Sequence, residues 1–180
     1  MNTLTAQPKT NGQYPKQRVQ APATEEIEAV PLVLKLRNIL VPIDFSPASE
    51  KALRHAVAFA RQFGAKITLL YVSQAQLQAN EFAYMPVEES AVRWCGTARL
   101  ESIARREIAP EIPVETLVRT GVAFDEIVKA AKELNADLIV VNTHGYTGLK
   151  HILVGSTAER IVRHAPCPVL VVRECDHDLV

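Results

Sequence analysis

Between Val141 and Glu159 the chain reads V-N-T-H-G-Y-T-G-L-K-H-I-L-V-G-S-T-A-E. Residues of these types at this spacing suit the binding of a phosphate group. Gly145, Gly148 and Gly155 let backbone approach a bound group with no Cβ in the way. Ser156-Thr-Ala-Glu159 has the pattern of a capping box, which places backbone amides at a helix N-terminus where an anion is held well. Lys150 and His151 add positive side chains within the loop. A glycine loop taken alone serves equally as an ordinary connection from strand to helix, so the rest of the chain must decide between the two.

The elements that would position this loop follow from apolar spacing. Leu138-Ile-Val-Val141 belongs to a buried strand over residues 137–141, and the helix beyond the loop runs from Thr157 to Arg163 and His164, cations suited to its negative pole. Residues 39–43 form a first short apolar run, followed by Asp44-Phe-Ser46. Ser46 is an N-cap with Pro47 at the first helical position. Ala52, Leu53, Ala56, Val57 and Ala60 give that helix one apolar face, and Gly64 stops it. A second strand spans 66–72, a loop 73–87, and a helix of weaker pattern 88–108. Gly96 lies inside that helix at a cost of about 1 kcal/mol relative to alanine, and Trp94 reads as a packing residue. Pro110 and Pro113 end the helix. A strand of mixed polarity at 114–119 suits a sheet edge. Phe124, Ile127, Val128, Ala131 and Leu134 mark a further helix closed by Asn135, and 169–173 is a last strand after Pro166 and Pro168. His55, His151, His164 and His177 read as surface residues.

The order βαβαβαβαβ predicts an α/β fold, an open parallel sheet with helices on both faces. In such sheets ligands bind beyond the carboxyl ends of the strands where strand order reverses. Asp44 stands at the end of the first strand and the segment from Asn142 to Gly145 at the end of the fourth, so the two face one crevice if those strands are neighbours.

Composition narrows the function. The chain has 180 residues, 48% of them hydrophobic, enough for one substantial core with an appendage. Its 20 Lys and Arg balance 20 Asp and Glu, which argues against nucleic acid as a partner and in favour of a small ligand recognised locally. Cys95, Cys167 and Cys175 form neither a C-x-x-C pair nor a disulfide framework, as expected of a reducing cytoplasm. No apolar run is long enough to span a membrane, and residues 1–20 lack the apolar centre of a signal peptide, so the expected protein is soluble and cytoplasmic. Residues 1–35 read as a disordered or weakly ordered tail, 36–175 as the domain and 176–180 as a short C-terminal tail. Cys175-Asp-His-Asp178 is assigned no metal site, since a frayed polar terminus explains it.

Ile39-Leu-Val-Pro-Ile-Asp-Phe-Ser46, Asn142-Thr-His-Gly145, Gly155-Ser-Thr157 and Ala165-Pro-Cys-Pro-Val-Leu-Val-Val172, in that order and at those intervals, resemble the universal stress protein family, ATP-binding type. The likeness runs from about Leu36 to Arg173. It implies a five-stranded Rossmann-like sheet in the order 3-2-1-4-5, a homodimer paired through the last strand, and a site for ATP, with ADP and AMP as alternative ligands and Mg²⁺ as a companion. By position, Pro42, Ile43 and Asp44 resemble the residues that line adenine and ribose, with Asp44 accepting from a ribose hydroxyl. Val72 resembles the contact to adenine. Asn142, Thr143, His144, Gly145, Gly155, Ser156 and Thr157 resemble the phosphate cradle, whose family pattern is glycine, two residues, glycine, nine residues, glycine, then serine or threonine; Gly145, Gly155 and Ser156 keep it, and Asn142 occupies the place of the first glycine.

The expected protein is a nucleotide-binding regulator of stress physiology with no catalytic residues. The alternatives are a slow ATPase or self-phosphorylating protein with Ser156 or Thr157 as acceptor, and a nucleotide-free dimeric scaffold. Efficient hydrolysis would need a metal and a base, and beyond Asp44 no acid has a clear claim on Mg²⁺. Neither a Walker sequence nor a G-x-G-x-x-G after the first strand is present.

Overall fold

Strand β1 (Asn38–Pro42) lies at the centre of one parallel sheet, with β2 (Lys66–Ser73) on one side and β4 (Leu138–Asn142) on the other. The computed structural model describes residues 35–74, 89–143 and 155–173. β3 (Val114–Thr120) and β5 (Val169–Val172) form the two edges, and the order is β3-β2-β1-β4-β5, as the resemblance implied. The mixed polarity of β3 matches its edge position, where one side of the ladder has no neighbour among the described residues.

This order dictates where the helices go. The connections from β1 to β2 and from β2 to β3 both step outward in one direction, so right-handed crossovers place α1 (Pro47–Phe63) and α2 (Glu89–Glu107) on the same face. The chain then crosses back over β2 and β1, which puts α3 (Ala123–Glu133) and α4 (Ser156–His164) on the other face. Alternation along the strands follows suit. Ile39, Val41, Ile67, Leu69 and Val140 pack with α1 and α2, whereas Leu40, Leu70, Ile139 and Val141 pack with Ile127, Ala131, Ala158 and Ile161 of α3 and α4. β1 is thus buried on both faces, which is why its sequence is an unbroken apolar run.

The ends of the elements obey local chemistry. Ser46 caps α1, accepting from the Ser49 amide, Pro47 follows, and Gly64 ends the helix in the left-handed conformation at φ 67. Asn135, at φ 47, ends α3 in the same way. The Asp137 carboxylate accepts from the amides of Arg37 and Asn38 at 2.8 and 2.9 Å, fastening the start of β1 to β4.

Two readings of single residues are corrected. Trp94 is 74% exposed. α2 meets the sheet through Gly96, Leu100, Ile103 and Ala104, and a residue two positions before Gly96 points to the opposite side of a helix. His55 is buried at 4% exposure, because α1 is covered over a wider arc than its aliphatic stripe. His164 is exposed as expected, with Nδ1 2.8 Å from the Arg160 carbonyl. Gly96 also acquires a reason, since a Cβ there would lie 3.0 Å from Tyr71 Cδ1 and 3.1 Å from Val118 Cγ2.

The expected N-terminal tail up to residue 34, most of the 73–87 loop, Gly148, Lys150, His151, His177 and the C-terminal tail lie outside the described residues. Among the described residues no helix is long and apolar enough to cross a membrane.

Candidate functional site

The carboxyl ends of β1, β2 and β4 open onto one crevice, and each contributes through a distinct local device. After β1 the Ile43 amide still bonds to the Leu70 carbonyl at 2.8 Å, so the chain leaves the sheet only at Asp44. Phe45, at φ 64, makes the turn into α1. Asp44 Oδ1 accepts from the Ser46 amide at 3.0 Å and from Ser46 Oγ at 2.5 Å, and Ser46 Oγ itself accepts from the Ser49 amide at 3.2 Å. The hydroxyl proton is thereby committed to the carboxylate. Asp44 does engage the helix start, as a capping residue would, and it also lines the crevice.

On the far side, the Thr143 amide bonds to the Val172 carbonyl at 3.0 Å, and the Gly155 amide to the Thr143 carbonyl at 2.7 Å. This pins the start of α4 to the end of β4. Above β2, the Gly121 amide bonds to the Ser73 carbonyl at 3.0 Å and brings the start of α3 to the same place.

The crevice has a volume of about 870 Å³. Pro42, Ile43, Asp44, Val72, Asn142, Thr143, Gly155, Ser156 and Thr157 all line it, so the structure brings these candidate residues together. His144 and Gly145 lie outside the described residues. Thr143 is buried; Ser156 and Thr157 are exposed. Asn142 is the last residue of β4, in register with Val172, so its backbone is that of an ordinary strand and does not require glycine.

The predicted capping box does not form. The N-cap of α4 is Gly155 and Ser156 is already the first helical residue, with no side chain among the described residues capping the helix. Glu159, which should have reached back, instead pairs with Arg163 one turn on, at 2.7 Å. The consequence favours an anion site, because amides of the first turn keep no side-chain acceptor of their own. Positive helix potential and amides without an acceptor among the described residues then coincide at the crevice wall.

Several lining residues had no signal in the sequence. Leu70 and Ile127 supply apolar walls beside Val72, and Ala123 brings in the first turn of α3. Arg99 reaches the crevice from α2 and lies over the Phe45 ring, 3.6 Å from its centroid, while Tyr71 contacts the same ring at 4.7 Å. The weak amphipathic pattern of α2 gave no indication of which way Arg99 points. Its one clue was the distance of three residues from Gly96, which faces the sheet.

Chemically, the crevice offers apolar surface at one end, a carboxylate whose orientation is fixed, and helix amides at the other end. Asp44 is the one carboxylate among the described lining residues, and no group of three or more His, Cys, Asp or Glu is placed to hold a metal among the described residues.

Comparison with known proteins gives a uniform result. The Universal stress protein family matches residues 35–173. Universal stress protein MJ0531 of Methanocaldococcus jannaschii is 35% identical over 144 residues, covering 77% of this chain and 82% of that protein. The structure of hypothetical protein MJ0577 superposes with a TM-score of 0.69 at 29% identity, over 80% of this chain and all of the other. Two more distant structures share the fold. One is a universal stress protein in complex with cAMP, at 20% identity and TM-score 0.57, covering 78% of this chain and 98% of that one. The other, from Archaeoglobus fulgidus in complex with dAMP, is 22% identical with TM-score 0.52, covering 77% and 98% respectively.

Proposed function

The chain belongs to the universal stress protein family, and we propose that it is a stress-response regulator that binds an adenine nucleotide, ATP, at the carboxyl ends of β1 and β4. The observation that carries this reading is the convergence, on one crevice, of the Asp44 carboxylate, the apolar Val72 and the uncapped first turn of α4. Val72 and Ile127 would flank the adenine. Asp44, oriented by Ser46, would accept from ribose hydroxyls, and the amides that follow Gly155 would hold phosphate oxygens. The complexes of two relatives with cAMP and dAMP support an adenine nucleotide as the ligand class.

A Mg²⁺ ion would come with the phosphates of the nucleotide, since a single carboxylate does not build a cage for it. The crevice residues bind and orient; none of those described is placed as a general base for hydrolysis, which is why regulation rather than turnover is proposed. Calorimetric titration of ATP with Mg²⁺, with ADP and AMP as competitors, tests the reading. Saturable binding displaced by ADP or AMP supports it, and absence of heat and of competition rejects it.

The protein is further proposed to act in the cytoplasm as a homodimer through β5. Among the described residues this edge strand, Val169-Leu-Val-Val172, pairs only with β4 and leaves a nearly continuous apolar ladder edge, which is an aggregation hazard unless covered. Light scattering at micromolar concentration should give twice the chain mass. A clean monomer removes the dimer from the account.

A further inference from the structure

We propose that Arg99 is a specificity-determining residue of this crevice, an anion-binding subsite that favours a nucleotide with more than one phosphate. The inference rests on the nucleotide reading above. The Phe45 ring is occupied, by the Arg99 guanidinium 3.6 Å from its centroid and by Tyr71 at 4.7 Å with the planes at 50°, so it is not a stacking platform for a base. It holds a cation instead. An aromatic residue in the left-handed region, as Phe45 is at φ 64, is unfavourable unless the surroundings enforce it, and here the turn delivers the ring beneath Arg99.

A guanidinium stays charged and carries five N–H donors, which a ring face leaves largely available at the edges. Other arginines nearby are committed: Arg105 pairs with Glu101, Arg106 with Glu50 and Glu107, and Arg119 with Glu126 and Glu133. Arg99 makes no ion pair among the described residues, although it lines the crevice together with Asp44 and Gly155. The crevice therefore has two positive poles, the first turn of α4 and the Arg99 fork, which enter from opposite faces of the sheet. A nucleoside monophosphate has one phosphate and engages one pole. A longer phosphate chain reaches from the α4 amides toward Arg99, where a phosphate can be held bidentately.

The test is calorimetric titration of adenosine, AMP and ATP, in EDTA, into the full chain and into Arg99→Gln, Arg99→Lys and Phe45→Leu variants. Arg99→Gln should weaken ATP about tenfold or more, weaken AMP by less than about threefold, and leave adenosine unchanged. Arg99→Lys, which keeps the charge without the fork, and Phe45→Leu, which keeps the arginine without its platform, should fall between. Equal losses for ATP and AMP in Arg99→Gln, or no loss, at an unchanged thermal midpoint, overturn this inference and leave the nucleotide reading standing. Failure of the unaltered chain to bind any of the three overturns both.

Discussion

Gly155 donates its backbone N–H to the Thr143 carbonyl at 2.7 Å, fastening the start of α4 to the end of β4. Thr143 is itself tied through its amide to Val172 of β5, so the start of α4 is referenced to the sheet. The amides that follow Gly155 consequently have a fixed place relative to Asp44 across the crevice.

Ser46 links the site to the stability of α1. Its hydroxyl donates to Asp44 and accepts from the Ser49 amide, so Ser46→Ala removes a helix cap and one of the two hydrogen bonds that orient Asp44, leaving the bond from the residue 46 amide. Urea unfolding should show a loss of about 1 kcal/mol, the usual cost of such a cap. Ser46→Asp, which can restore the cap but places a second carboxylate beside Asp44, should recover less than the full loss.

Gly96 lies where α2 packs against Tyr71 of β2 and Val118 of β3. Alanine there would gain about 1 kcal/mol in helix propensity, but its Cβ would stand 3.0 Å from Tyr71 and 3.1 Å from Val118. Overpacking of this kind costs about 1–3 kcal/mol, and Tyr71 is held in turn by Phe45, so a net destabilisation is expected for Gly96→Ala and a larger one for Gly96→Val. Denaturant midpoints of the two variants check the order.

The α/β order and the strand ends were legible because parallel strands buried on both faces leave short apolar runs that end abruptly at Asp44 and Asn142. Caps at Ser46 and Gly64 were legible for the same local reason. What was not legible depends on direction and on distant partners. The capping box failed because α4 starts one residue earlier than expected, with Ser156 already helical, and Glu159 turns instead to Arg163, its i,i+4 neighbour. Trp94 was misjudged from its size, and His55 from its polarity, since burial depends on which arc of a helix its neighbours cover. Arg99 was missed because its significance lies in Phe45, a residue far away in sequence.

Acid should loosen the edge of the sheet at β3. The Arg119 guanidinium, hydrogen-bonded to Glu133, holds that carboxyl below its ordinary value of 4.5, and Glu133 raises Arg119 in return. A carboxyl whose folded value is lowered contributes stability that is present above its unfolded value and is lost as pH falls through the folded one. The effect at this exposed position is small. Stability measured from pH 6 down to pH 3 should fall less steeply in Glu133→Gln than in the unaltered chain, and identical slopes would contradict the assignment.

The most direct test of the central claim is ATP titration into the unaltered chain beside Gly155→Val. Gly155 has φ −63 and ψ 149, a conformation open to any residue, so valine should preserve the fold while its side chain fills the space before the α4 amides. The account predicts saturable binding of ATP to the unaltered chain, weakened about tenfold or more in the variant at a similar thermal midpoint. Equal affinity in the two proteins, or no binding to either, would contradict the placement of the nucleotide at this crevice.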